Sequence, residues 1–302
     1  MVFYSDLDNT LIYSYKHNIG KEKRCVEIYE GREISFMTEY SYRLLQEVNR
    51  KALFVPVTTR TVQQYQRISL GIGIPKYALV CNGGILLENG ESDLGWYEAS
   101  REIVADCQQE LHRAKQRLEG DADVNFEVRN IERLFLFTKS VHPERTVRNL
   151  QNTLDHLLVD VFSNGAKVYV VPKKLTKGTA VRRFQERLQK EAEISAVSQG
   201  YMQKGKISSN GFGKMFQKGR SGAGSMQEGQ GRLQSGTELA VGTVAAGDSV
   251  FDIPMLLEAD VAFMPKEMQV WKIEKEAAYY CGGGQVFSDF LLHSVNAFCH
   301  SG

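Results

Sequence analysis

The chain has 302 residues, with 37 Lys and Arg against 36 Asp and Glu, for a net charge of +1. That length can bury one or two substantial cores, and a charge so near balance argues against a dedicated polyanion binder. No apolar run approaches the roughly 20 residues that span a bilayer, and the N-terminus enters a strand without the basic start and apolar stretch of a secretion signal. The five cysteines, at 25, 81, 107, 281 and 299, are scattered and form no CxxC pair. They suit a reduced cytoplasmic compartment better than a disulfide framework or a zinc site.

In chain order, strand-like runs alternate with helical ones: 2–5 then 38–50, 52–57 then 61–70, and 77–81. Mostly apolar strands between helices predict a parallel sheet covered on both faces. Ligands of such sheets bind at the carboxyl ends of the strands.

The first strand ends on Asp6, and Asp8 follows two residues later. Two residues apart on a strand, these carboxylates share a face, although the turn that starts there distorts it. Such a pair is either an Asx-rich turn or a functional pair, a nucleophile or metal ligand beside an acid/base. Residues 52–60 form a second apolar strand that ends in Thr58, Thr59 and Arg60. A third strand near the C-terminus runs into Asp248. All three ends fall on the same edge of the predicted sheet, which would converge Asp6, Thr58 and Asp248.

Residues 84–171 change character. The pattern predicts a hairpin around Asn89-Gly90, a helix over 98–119, strands at 124–128 and 133–139, a helix at 144–157, and strands at 158–163 and 166–172. Asn164-Gly165 is a strong hairpin signal. This αββαββ unit pairs antiparallel, unlike the sheet around it. Lys177-Gly178 then opens a helix. Residues 198–237 are rich in Gly, Ser and Gln, and over 200–236 six Lys and Arg stand against Glu228 alone. That composition predicts a flexible loop. A helix at 252–259, a strand from Asp260 to Met264 and a helix at 288–298 complete the chain.

Asp6-Leu-Asp8-Asn-Thr resembles the first motif, DxDx[TV], of the haloacid dehalogenase superfamily of phosphatases and phosphotransferases. Three further segments resemble its later motifs in order: the strand ending at Thr58, Lys177-Gly178, and Gly247-Asp248 through Asp252. The resemblance covers the chain outside the 198–237 insertion. It implies an α/β fold, a Rossmann-like parallel core formed by 1–83 and 172–302. It also implies an inserted C2-type α+β cap, 84–171, of the kind found in Cof-type phosphatases, sucrose-phosphatases, trehalose-phosphatases and phosphomannomutases. Asn82-Gly83-Gly84 is the implied hinge. The Ala-Ala-Gly-Asp-Ser form also resembles phosphatases from bacterial tellurite- and stress-resistance gene clusters. Where many relatives carry Gly before the Arg of the second motif, this chain has Thr59.

The resemblance further implies roles. Asp6 is the nucleophile that forms an aspartyl-phosphate, and Asp8 the general acid and base. Thr58, Lys177 and the backbone N–H groups of Leu7 and Asn9 bind phosphate. Mg2+ is the cofactor, with Asp6, Asp8, Asp248 and Asp252 as its ligand set. Each residue also has an ordinary reading. Lys173 or Lys174 stands near enough to replace Lys177, and Asp252 sits where a helix cap would. Arg60 can reach a substrate or the cap, or pair with a surface carboxylate. Asn82 is a substrate contact or a turn residue. The expected activity is a Mg-dependent phosphatase acting on a small phosphorylated metabolite, a sugar phosphate or nucleotide-like phosphate. The alternatives are a phosphomutase, or a binding protein using the basic loop. Neither a membrane nor a nucleic acid is an expected partner, and oligomeric state is left open.

Overall fold

The computed structural model describes residues 1–204, 242–271 and 273–301. The chain divides into two compact units, Met1–Arg183 with Ala240–Gly302, and Phe184–Leu239. The first holds the fold and the site. The second begins partway along the helix Lys177–Lys204, so the predicted loop is helical in its first residues, and the rest of it lies outside the described residues.

The central sheet has five parallel strands, in the order Ala278–Cys281, Val261–Pro265, Thr243–Ala246, Val2–Ser5, Leu53–Pro56. Tyr77–Val80 extends it through a parallel bridge between Val57 and Leu79. The middle strands are buried almost end to end, and Phe3, Tyr4, Val55, Val244 and Ala245 are among the least accessible residues. A sheet wrapped on both faces needs such continuous apolar strands rather than alternating ones. The Ala278–Cys281 edge strand is too short and too polar in its flanks to stand out in the sequence.

The helix Glu39–Lys51 starts on Thr38, whose hydroxyl accepts from the Ser41 N–H at 2.9 Å. Glu39 sits in its first turn and Arg50 and Lys51 in its last, the charge placement that suits the helix dipole. Leu44, Leu45 and Val48 are its buried face. The helix Phe287–Ser301 packs beside it, and the Ser41 hydroxyl donates to Ser288 at 2.8 Å. The predicted helix at 61–70 is one turn only, Val62–Tyr65, closed by a capping box between Thr61 and Gln64.

Between the first strand and this helix lies a three-stranded antiparallel sheet, Tyr13–Ser14, Lys23–Tyr29 and Arg32–Thr38, that the pattern reading did not include. Its signal was present. Glu30-Gly31 joins two β-rich runs, and both residues take positive φ, 50° and 73°, as a two-residue hairpin turn requires.

The inserted region is the expected αββαββ unit, with corrections at its ends. Its first helical stretch runs as Leu94–Ile103 and Gln108–Glu119, broken by a 3-10 turn at Ala105–Cys107. It begins earlier than expected because Asp93 caps Trp96. The strand placed at 124–128 is Arg129–Ile131 instead, with only an isolated bridge from Val124 to Ser140. The second helix stops at Gln151. The sheet order is Val159–Asn164, Lys167–Pro172, Phe135–Lys139, Arg129–Ile131. One face packs on the helices through Leu111, Leu118, Leu136, Val168 and Val170.

Candidate active site

Asp6 follows the central strand, and its N–H extends the ladder to the Ala246 carbonyl at 2.9 Å. The chain then coils on itself. The Leu7 carbonyl accepts from the amides of Thr10, Leu11 and Ile12, while Leu7 itself is buried. Asn9 takes φ 61°, a left-handed conformation that asparagine tolerates well. The Asn9 N–H is committed to the Ile12 carbonyl at 2.8 Å. That bond corrects the expectation of a free phosphate donor there.

Lys177 lies between two carboxylates. Its Nζ is 2.5 Å from Asp6 Oδ1 and 2.6 Å from Asp252 Oδ1, with 2% of the lysine side chain and none of the Asp252 side chain exposed. The competing lysines point elsewhere: Lys173 pairs with Asp160 and Lys174 with Asp106, both exposed. Close packing explains the glycine that follows. A Cβ at Gly178 would stand 2.5 Å from the Pro254 carbonyl oxygen.

Asp252 precedes the helix Ile253–Glu258 but makes no side-chain cap to it. Its Oδ2 instead accepts from the amides of Asp248 and Ser249 and from the Ser249 hydroxyl, at 3.1, 3.0 and 2.8 Å. The loop carrying Asp248 is thus tied to Lys177. Gly247 has to be glycine for the same reason, since a Cβ there would be 2.2 Å from Asp252 Cβ. The Thr10 hydroxyl reaches Asp248 Oδ1 at 3.4 Å.

Oxygens of Asp6, Asp248 and Asp252 lie within 4.8 Å of one another. Burial, together with the charges of Asp252, Asp248 and Asp8, holds Asp6 well above the usual carboxylate range in spite of Lys177. Burial and the Asp252 charge push Asp248 up to about 7. Burial alone would lower Lys177, but Asp252 and Asp6 outweigh it and raise the ammonium. Buried together, three carboxylates crowd one lysine, which is why Asp6 and Asp248 hold their protons more tightly than usual, and hard oxygen donors of this kind suit magnesium.

Asp8 does not share the Asp6 environment. Arg60 grips it with two bonds of 2.7 Å, Nε to Oδ2 and Nη2 to Oδ1. Burial would raise Asp8, yet the Arg60 bonds and charge, with smaller help from Lys167 and Lys177, bring it below its ordinary value. Arg60 also bonds Glu27 at 2.8 Å, and Arg67 meets the same oxygen at 3.1 Å. Ser35 donates to the other Glu27 oxygen at 2.6 Å. Glu27 and Arg67 were missed in the sequence, because their roles depend on the three-stranded sheet folding back over the site.

Thr58 is fully buried, and its hydroxyl accepts from the Arg60 N–H at 3.2 Å. Thr59 stands on the cavity wall and does not take positive φ, so its backbone makes no demand for glycine. Asn82 does take it, at 58°. Its side-chain amide donates to the Leu175 carbonyl at 2.8 Å, while its buried Oδ1 has no partner. A cavity of about 930 Å³ opens beside Asp8, lined by Arg60, Glu27, Tyr15 and Tyr29 on one side and by Phe137, Lys139, Lys167 and Tyr169 on the other.

No family model matches the chain, and no curated protein matches it in sequence. Solved structures do. The sucrose-phosphatase of Synechocystis sp. PCC6803, seen with sucrose and phosphate, aligns at TM-score 0.55 and 15% identity over 99% of this chain and 97% of its own. A protein of Streptococcus mutans UA159 aligns at 0.52 and 11%, covering 99% and 98%. A haloacid dehalogenase-like hydrolase from B. subtilis aligns at 0.50 and 12%, covering 98% and 99%.

Proposed function

From a chain that carries the haloacid dehalogenase-like fold with an inserted cap, we propose that it is a Mg2+-dependent phosphatase. Its substrate is a small phosphorylated metabolite, a sugar phosphate or nucleotide-like phosphate, and the reaction passes through an aspartyl-phosphate. The observation that carries this reading is Lys177 held between Asp6 and Asp252, with Asp248 alongside, at the carboxyl edge of a parallel sheet.

Asp6 attacks phosphorus: an Asp6–phosphorus bond forms, and the bond to the leaving oxygen breaks. Asp8, protonated for this step, gives its proton to that oxygen. An arriving phosphate dianion opposes Arg60 at Asp8 and favours the protonated acid, by the same Coulomb argument that now keeps it ionised. In the second step Asp8 takes a proton from water, which attacks phosphorus and releases Asp6. Lys177 and Thr58 hold the non-bridging oxygens, Lys177 as a buried point charge, and the Leu7 N–H is the remaining backbone candidate. Asp6, Asp248 and the Asp8 main-chain carbonyl would hold magnesium. Asp252, whose oxygens are engaged by Lys177 and the Asp248 loop, supports them. When bound, the ion supplies the positive charge that lets a carboxylate and a phosphate approach. Residues 84–171 act as the cap that selects the leaving group and excludes water from the first step. The five free cysteines support a reducing, cytoplasmic setting, and no described helix is long and apolar enough to cross a membrane.

The deciding experiment is turnover of an aryl phosphate with magnesium, with EDTA and as Asp6→Asn. Turnover that needs the metal and disappears in the variant is the expected result. Turnover unaffected by Asp6→Asn would sink the mechanism.

A further inference from the structure

Phe135–Lys139 pairs antiparallel with Lys167–Pro172 in a register that sets Phe137 opposite Tyr169 and Lys139 opposite Lys167. The alternation of a strand puts these four on one face, and all four line the cavity beside Asp8. Leu136, Val168 and Val170 fill the other face.

Two like charges directly opposed on neighbouring strands cost stability. Among the described residues no carboxylate pairs with either lysine; Lys139 has only the Phe126 ring, 4.7 Å from its Nζ, and Lys167 is exposed. Arg129, on the same wall, adds a third cation, shared with exposed Glu127. The carboxylates of the cavity are paired elsewhere, Asp8 with Arg60 and Glu27 with Arg60 and Arg67, and among the described residues neither forms an ion pair with these lysines. Lys139 and Lys167 line the same cavity as Asp8, the proposed acid for the leaving group, so the pair lies on the leaving-group side of the site. Phe137 and Tyr169 lie beside it with ring centres 5.3 Å apart.

We propose that the leaving group of the substrate carries a second anionic group, a carboxylate or a further phosphate, seated between Lys139 and Lys167 with its body against Phe137 and Tyr169. This rests on the reading of Asp6 and Asp8 as the phosphoryl-transfer pair. A bound anion turns the repulsion between the lysines into two attractions. An uncharged polyol would leave the two ammonium groups facing each other.

The test is calorimetric binding to the Asp6→Asn protein in magnesium, with ligands matched in pairs. Phenyl phosphate is compared with 4-carboxyphenyl phosphate, and ribose 5-phosphate with ribose 1,5-bisphosphate. In at least one pair the second anion should tighten binding by about tenfold or more, and the pair that responds distinguishes carboxylate from phosphate. Adding Lys139→Gln and Lys167→Gln should abolish the preference. The lysine variants should melt at or above the parent temperature, because they remove a repulsion. Equal affinity within both pairs, or a preference that survives loss of both lysines, would overturn the proposal. If the wild-type protein fails to turn over aryl phosphate, the transfer reading falls, while the affinity ratio still decides whether the anion seat exists.

Discussion

Arg60 and Asp8 meet through two parallel bonds of 2.7 Å, so the proposed acid/base is held by a guanidinium fork that also reaches Glu27. The fork fixes both the direction of the Asp8 carboxylate and its charge, because bidentate pairing favours the ionised form. Arg60→Gln removes both. Carboxylate-carbon NMR should find Asp8 titrating below the ordinary Asp value in the parent protein and clearly higher in the variant. An unchanged titration would show that another group sets the Asp8 charge.

Lys177 neutralises two buried carboxylates. Removing one partner of a buried ion pair leaves the other charge uncompensated, at a cost of about 3–5 kcal/mol. Lys177→Met should therefore lose stability on that scale in urea unfolding without metal. Magnesium should restore part of it, since the ion replaces the missing positive charge. A variant as stable as its parent would mean that the buried carboxylates do not depend on Lys177 for their compensation.

The pH dependence of stability should carry a Glu27 component. Burial alone would raise this carboxylate, but bonds from Arg60, Ser35 and Arg67 outweigh it and lower the group below its ordinary value. A carboxylate depressed in the folded state contributes stability that is fully present above its unfolded pKa of about 4.3. That contribution is lost as pH falls through the folded value. Glu27→Gln should thus be less stable than the parent at pH 7, and the gap should close below about pH 4. Urea midpoints measured from pH 7 to pH 3 would check it, and a gap independent of pH would refute it.

Gly247 and Gly178 make a packing prediction. Alanine at either site places a Cβ inside contact distance of Asp252 or of the Pro254 backbone. Overpacking of this kind costs about 1–3 kcal/mol. Gly247→Ala should also disturb the Asp248 loop, so its magnesium requirement, read as the concentration for half-maximal turnover, should rise more than that of Gly178→Ala. Equal requirements would separate the glycine from the carboxylate it touches.

Much of this was legible in the chain alone. The alternation of apolar strands and helices determined the parallel sheet, since only strands covered on both faces read as continuous apolar runs. The ends of those strands placed Asp6, Thr58 and Asp248 on one edge, and the Asn-Gly and Asn164-Gly165 signals located the antiparallel insertion. Turn chemistry and periodicity are local, so sequence carries them well. The hairpin turn at Asn164-Gly165 even came within one residue, with Asn164 paired to Lys167 and Gly165 at positive φ.

Only the tertiary structure decided the partnerships. Lys177 is 171 residues from Asp6 and 75 from Asp252, and nothing local separates it from Lys173 or Lys174 except which of the three the helix turns inward. Whether Asp252 caps its helix or ties the Asp248 loop, and whether Arg60 reaches a substrate or the cap or pairs with a carboxylate, depends on what stands opposite. The three-stranded sheet that brings Glu27 over the site, and the register that sets Lys139 against Lys167, are pairings between distant segments. Charge and hydrogen bonding act through space, over a few ångströms, and the chain's own order does not record which residues will come that close.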